Sequence, residues 1–98
     1  HRAGRLIAAD EVDTLADGLR TSLSERTFRV MMQYVQAVVT VSEAAIVEAM
    51  RLVWERMKIL IEPSSAVPVA AALAGDLPGQ RIGLVLTGGN QDLDRLPW

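Results

Sequence analysis

The sequence contains no cysteine, a single histidine and a single lysine, and these shortages limit the chemistry that the chain can perform. Without cysteine there is neither a disulfide framework nor a thiolate site, which fits a reducing compartment. His1 is the first residue, and Lys58 lies at the charged edge of a predicted helix rather than in the desolvated position that a Schiff-base lysine needs. The chain alone therefore offers no convincing nucleophile or general base.

Long apolar runs and blocks of like charge are also missing. The longest apolar stretches are far shorter than the roughly 20 residues that a membrane-spanning helix requires. The net charge is -2, and Arg and Glu are interleaved along the chain rather than gathered into a basic patch. We therefore expect neither a membrane nor a nucleic acid as a partner.

The residues that are present can form a modest core, because 50% of the 98 residues are hydrophobic. This length fits one small domain or part of a larger one. The chain starts at His1 rather than Met, inside what reads as structure. We therefore expect either a processed chain or an excerpt from a longer polypeptide.

Short apolar segments alternate with segments of helical periodicity along the chain. Strands are predicted at 5–9, 37–41, 59–61 and 81–86, with helices between and after them. The last strand is almost uninterrupted in its apolar character, which is typical of a strand buried on both faces of a parallel sheet. The alternation predicts an α/β fold, in which a mostly parallel open sheet is flanked by helices.

The predicted helices differ in the clarity of their signals. Ser24 and Ser42 are the expected caps of the first two. The third helix is predicted to be capped by Ser65 and to end at Gly75, which would put Pro68 in the first turn, where its missing N–H is not needed. The second helix has an apolar stripe that consists of Ile46, Ala49, Met50, Val53, Trp54 and Met57.

The sequence TGGN, residues 87–90, directly follows the last predicted strand. The carboxyl end of a buried parallel strand faces the crevice in which α/β folds bind ligands. Thr87 would present a hydroxyl there, while Gly88 and Gly89 would let the backbone turn tightly and approach a flat ligand. Asn90 can pin the turn. An ordinary strand-to-loop turn is the alternative when these four residues are considered alone.

Four longer stretches occur in an order and spacing that resemble one enzyme family: TLADGLRTS, TVSEAAIVEAMRLVWERMK, IEPSSAVPVAAALAG and IGLVLTGGNQDLDRLPW. They resemble the C-terminal part of the serine/threonine dehydratases and serine racemases. These are pyridoxal-phosphate enzymes of the tryptophan-synthase β type and include 3-hydroxyaspartate dehydratases. The resemblance implies pyridoxal-phosphate fold type II, with residues 1–98 as the C-terminal portion of a single catalytic unit.

The resemblance implies that six residues contact the cofactor, pyridoxal 5'-phosphate. Thr87 matches the family's Ser or Thr that hydrogen-bonds the pyridine nitrogen, and a neutral hydroxyl does not force that nitrogen to be protonated. Gly18 matches a backbone contact beside the ring, and Glu62 matches the carboxylate of the EPS motif near the ring edge. The expected floor of the pocket consists of Gly88, Gly89 and Asn90.

The chain departs from the family in two ways. The family usually has Ser at position 87, Val where Gln91 stands and another residue at Pro68, changes that bear on local packing. The larger departure is that the Schiff-base lysine, the phosphate-binding glycine loop and the site for Mg²⁺ or another divalent cation lie upstream in the family. None of them is present here, so we expect the 98 residues alone to be inactive.

For the whole protein the resemblance implies a cytoplasmic, homodimeric ammonia-lyase. Such an enzyme eliminates water from serine, threonine or 3-hydroxyaspartate to give a keto acid and ammonia. An amino-acid racemase of the same family shares every motif quoted above, because its second base would also lie upstream. A non-catalytic α/β interaction domain or a relic is the third alternative, although such a protein would have no reason to keep Thr87, Gly18 and Glu62 together.

Overall fold

A computed structural model of the chain describes residues 2–7, 11–75 and 77–98. Three α-helices occur in order: α1, Glu25–Tyr34; α2, Glu43–Met57; and α3, Pro63–Ala74. A single turn of 3₁₀ helix, Asp17–Leu19, precedes them. Two of the helices, α2 and α3, pack against each other, and the 3₁₀ turn lies against α3.

Helix α1 begins after the residue that the sequence predicts as its cap. The Ser24 hydroxyl accepts the backbone N–H of Thr27 at 3.1 Å and so satisfies one of the unpaired amides of the first turn. Glu25 and Arg29 form an exposed ion pair one turn apart, at 3.4 Å. No residue of α1 is buried, so its apolar Val30 and Met32 stay exposed in this chain.

Helix α2 confirms the second predicted cap. The Ser42 hydroxyl accepts the N–H of Ala45 at 3.2 Å, and the helix ends where Lys58 adopts a left-handed conformation with φ 59°. The stripe is confirmed for its first turns but not for Met57, which is 57% exposed because the helix has by then passed its partner. The buried residues of the helix are Ile46, Ala49, Met50 and Val53.

Helix α3 begins earlier than the sequence predicts. Its N-cap is Glu62 and its first residue is Pro63, so the prediction of Ser65 as the cap is wrong. Pro63 already has the φ of a helix and needs no N–H partner at that position, which makes it the better starting residue. Consequently Pro68 lies inside the helix rather than in its first turn. The predicted end is confirmed, since Gly75 is left-handed with φ 78°.

The core lies between α2 and α3. Ala49, Ala66 and Ala70 are almost fully buried, and their small side chains let the two helix backbones approach closely. Met50 and Ile61 fill the remaining space. Trp54 closes one side of the core, and its indole N–H donates to the carbonyl of Ile61 at 2.9 Å. The core therefore fixes the position of the segment that enters α3.

The predicted sheet is not formed within the described residues. Segments 37–41, 59–61 and 81–86, together with residues 5–7, are irregular backbone there. The rest of the first predicted strand, residues 8 and 9, lies outside the described part. A strand needs a neighbouring strand to pair with its N–H and C=O groups. These segments find no such neighbour in the described chain, so only the helical part of the α/β prediction is confirmed here.

Candidate functional site

The glycine turn, which we define as Thr87–Gly89, lies against the start of α3. Ser65 is fully buried, and its hydroxyl oxygen is 2.7 Å from both the N and the O atom of Gly88. The same oxygen is 3.1 Å from Thr87 Oγ1. The backbone N–H of Glu62 donates to the Gly88 carbonyl at 3.1 Å. Four hydrogen bonds therefore attach the turn to the first turn of α3.

The two glycines permit a close approach that no other residue type would allow. A Cβ added to Gly88 would lie 2.6 Å from Glu62 Oε1, so the carboxylate stands directly beside that backbone. A Cβ added to Gly89 would collide with the carbonyl oxygen of Leu60. The glycine turn is thus packed backbone to backbone against residues 60–62.

Gly18 reaches the same region through Ser64. Its N–H donates to the Ser64 hydroxyl at 3.0 Å, and a Cβ at Gly18 would lie only 2.8 Å from that oxygen. Ser64 is the residue before Ser65 in the first turn of α3, so one helix start holds both the 3₁₀ turn and the glycine turn. The structure therefore brings together Gly18, Glu62, Thr87, Gly88 and Gly89, although their roles were predicted from separate motifs.

A carboxylate at the start of α2 holds the segment that leads to Gly18. Glu43 accepts the Thr14 hydroxyl at 2.7 Å and the backbone N–H of Leu15 at 2.8 Å. These two hydrogen bonds, with the nearby Arg20 guanidinium as a smaller contribution, lower the pKa of Glu43 below its ordinary value. Arg20 in turn donates through Nε to the Thr14 carbonyl at 3.0 Å. Glu43 is exposed, so this attachment is a surface feature.

Asn90 lies beyond the turn, in the lining of an open cleft of about 460 Å³. This volume falls within the range of about 300–1,000 Å³ that is typical of small-molecule sites. Asp17 and Pro63, the neighbours of Gly18 and Glu62, line the same cleft. The cleft does not include Thr87. Asn90 is thus placed beside the cluster, and no hydrogen bond in the described structure supports its predicted pinning of the turn.

Two serines of the cluster were missed by the sequence reasoning. Ser64 was assigned no role, and Ser65 was treated only as a helix cap. A signal for Ser65 was present, because it stands next to Ala66 and one turn before the small residues that bury α3. A polar side chain in such a row must find hydrogen-bond partners inside the protein.

The sequence family follows once this geometry is known. Residues 1–88 match the family described as "Pyridoxal-phosphate dependent enzyme". The match covers most of the chain, so the protein belongs to this family, and the resemblance stated from the four motifs is confirmed.

Individual relatives define the relationship further. The chain is 46% identical over 99 residues to the beta-hydroxyaspartate dehydratase of Paracoccus denitrificans (strain Pd 1222), covering 99% of this chain and 31% of that protein. It is 41% identical over 101 residues to a serine racemase of Arabidopsis thaliana, covering 96% of this chain and 30% of the relative. The chain thus spans about a third of the length of the curated relatives that it matches.

Solved structures of the family share the fold of the chain. The threonine deaminase of the organism abbreviated T.th. superposes with a TM-score of 0.89 at 44% identity, over 94% of this chain and 35% of that one. Maize serine racemase superposes with a TM-score of 0.90 at 37% identity, over 95% of this chain and 31% of that one. These neighbours are pyridoxal-phosphate enzymes of fold type II, which confirms the predicted fold class apart from its sheet.

The cluster fits one edge of pyridoxal phosphate. Within the described ranges Thr87 Oγ1 has one hydrogen-bond partner, Ser65, so an exposed neutral hydroxyl keeps further capacity for a ligand. Such a hydroxyl suits a pyridine nitrogen, and the bare backbone of Gly88 suits a flat ring beside it. Lys58 is engaged elsewhere, since its Nζ donates to the Glu55 carbonyl at 2.8 Å.

Two negative findings concern the described part of the chain alone. It contains no group of three or more His, Asp or Glu residues that could hold a metal ion. Within the same ranges, no helix combines the length and the apolar character that crossing a membrane would take.

Proposed function

We propose that the full-length protein, meaning the complete polypeptide that contains these 98 residues, is a pyridoxal-phosphate-dependent ammonia-lyase. It would eliminate water from a β-hydroxy amino acid, namely serine, threonine or 3-hydroxyaspartate, to give a keto acid and ammonia. The observation that carries this proposal is the Thr87 hydroxyl beside a glycine turn that Ser65 and Glu62 hold, in a chain 46% identical to a hydroxyaspartate dehydratase.

The roles proposed for the residues of this chain follow from their chemistry. When bound, pyridoxal phosphate supplies an electron sink that makes the Cα–H bond of an amino acid acidic. Thr87 would hold the pyridine nitrogen by a neutral hydrogen bond and so orient the ring without imposing a charge on it. Gly88 and Gly18 would allow the backbone to approach the ring, and the carboxylate of Glu62 would line its edge.

Replacing Thr87 by Val tests the proposed contact. The change keeps the shape of the side chain but removes the hydroxyl, which leaves a ring nitrogen unpaired at a cost of about 1–3 kcal/mol. The dissociation constant of pyridoxal phosphate from the full-length protein should rise accordingly, and turnover should fall. Both are measured by titrating the apoprotein and by following keto-acid formation.

Thr27→Val is the matched control for that experiment. Thr27 lies in the first turn of α1, and its hydroxyl contacts only Ser24 among the described side chains. Its replacement should leave cofactor affinity unchanged. Equal affinities for wild type and Thr87→Val would remove the proposed role of Thr87. A full-length protein that takes up no pyridoxal phosphate at all would instead support the non-catalytic alternative.

An amino-acid racemase is the second candidate, because the chain is 41% identical to a serine racemase. Racemisation returns the proton to the opposite face of Cα, whereas elimination expels the β-hydroxyl. Incubating the full-length protein with each enantiomer of serine, threonine and 3-hydroxyaspartate separates the two. Keto acid and ammonia in excess over the opposite enantiomer would support the dehydratase, and the reverse ratio would support the racemase.

The context of the site is part of the same proposal. Residues 1–98 would be the C-terminal portion of one catalytic unit, with the cofactor lysine and any divalent-cation site upstream. The complete enzyme would be a cytoplasmic homodimer. The mass of the expressed polypeptide tests the first point, since a coverage of 31% of a relative implies about three times this length.

A further inference from the structure

Ser65 is the most completely buried polar residue of the described chain, and all of its side-chain contacts lead to the glycine turn. It is 0% exposed. Its hydroxyl oxygen contacts the N atom of Gly88, the O atom of Gly88 and Thr87 Oγ1, at 2.7, 2.7 and 3.1 Å. A buried hydroxyl with three partners on one turn fixes the position of that turn.

The hydrogen-bonding capacity of Ser65 is fully used inside the cluster. A serine hydroxyl has one proton and two acceptor positions. The Gly88 N–H occupies one acceptor position, and the Gly88 carbonyl and Thr87 Oγ1 share the proton and the other position. Ser65 thus has nothing left to offer a ligand, whereas Thr87 is exposed and uses one of its three positions.

We infer that Ser65 is a positioning residue that acts on the cofactor through Thr87. By holding the Thr87 hydroxyl in one orientation and the Gly88 backbone in one place, it would aim Thr87 Oγ1 at the pyridine nitrogen before the cofactor arrives. The inference rests on the proposed function, because it assumes that Thr87 contacts the ring. It adds a residue that itself touches neither cofactor nor substrate.

A purely structural role makes a different prediction. If Ser65 only anchored the Gly88 backbone, its removal would disturb the turn whether or not position 87 carried a hydroxyl. If it acts through Thr87, its effect on the cofactor requires that hydroxyl. A double-mutant cycle between the two residues separates these cases, because residues that act independently give additive effects.

The experiment measures the dissociation constant of pyridoxal phosphate from the full-length apoprotein by titration, without any assay of turnover. The four proteins are wild type, Ser65→Ala, Thr87→Val and the double variant. Ser65→Ala should weaken binding about tenfold in the wild-type background, as expected for one lost hydrogen bond, or about 1.4 kcal/mol. In the Thr87→Val background the same change should weaken binding less than about twofold.

Each result of the cycle decides a separate point. An equal loss in both backgrounds, or no loss in either, would overturn the role of Ser65 while leaving the Thr87 contact intact. A Thr87→Val variant that binds as wild type would overturn the proposed function itself. If Ser65→Ala does not fold, Ser65→Cys keeps the volume with a weaker hydrogen-bonding group, and the same cycle applies. Ser24→Ala, which removes the exposed cap of α1, is the matched control and should leave binding unchanged.

Discussion

Two regions of the chain treat their apolar residues in opposite ways. The pair α2–α3 buries Met50, Ala49 and Ala66 completely. The segment 81–86 is the most apolar of the predicted strands, yet Val85 is 73% exposed. A helix satisfies its own backbone hydrogen bonds and needs only one partner face, whereas a strand needs neighbours for its backbone and for both faces. The helices can therefore complete a core within this chain, and the strands cannot.

The largest expected effect concerns the core of α2–α3. Met50→Ala should destabilise the full-length protein by about 2–5 kcal/mol, because it leaves a cavity that rigid helices cannot close. Met57→Ala, on the same helix but 57% exposed, should cost less than about 1 kcal/mol. Urea unfolding of both variants measures the difference. Similar costs at the two positions would mean that the core does not lie where this chain places it.

The glycine turn is the point at which the irregular segment meets α3, and it should respond next most strongly. Gly89→Ala would press a methyl group against the Leu60 carbonyl, which is backbone and cannot rotate away, so we expect a loss of about 1–3 kcal/mol. Gly88→Ala should cost less, because the Glu62 side chain that it meets can turn aside. The free energies of unfolding of the two variants should therefore differ, and the reverse order would contradict this packing.

Val85 tests whether the second region is a strand in the complete enzyme. If residues 81–86 become a buried strand there, Val85→Ala should cost more than about 1 kcal/mol in the full-length protein. A residue as exposed as Val85 is in this chain would change stability by less than about 0.5 kcal/mol. The smaller value would show that the segment stays uncovered, and the contrast between the two regions would then be a property of the whole protein.

How far the sequence predicts the structure follows the same contrast. The caps Ser24 and Ser42 and the terminal Gly75 were predicted because each acts on residues close by in the chain. The start of α3 was misplaced because two serines looked like caps, while Pro63 supplied the stronger local signal. The sheet could not form because its pairing partners are distant in sequence.

The site was predicted as a list of residues but not as an arrangement. Motifs named Thr87, Gly88, Gly18 and Glu62, and the structure brings them to one helix start. The contacts that join them run through the hydroxyls of Ser64 and Ser65 over 46 and 23 residues of sequence. No local pattern reports contacts of that range, so only the folded structure reveals the joining residues.

The smallest expected effect concerns the exposed attachment at Glu43. Because the hydrogen bonds from Thr14 and Leu15 lower its pKa, the stability that they add is present above the ordinary carboxyl value of 4.5. It is lost as the pH falls through the lower value of the folded state. Glu43→Gln should therefore lower stability at neutral pH and flatten its decline in acid. Urea unfolding at a series of pH values measures this, with Glu48→Gln as the control on the same helix. Identical pH profiles for Glu43→Gln and wild type would contradict the attachment.

The most direct test of the account is a crystal structure of the full-length protein with pyridoxal phosphate bound. We predict that Thr87 Oγ1 lies within about 2.7–3.2 Å of the pyridine nitrogen while still contacting Ser65. A pyridine nitrogen that is paired with a carboxylate, or that lies remote from residue 87, would contradict it.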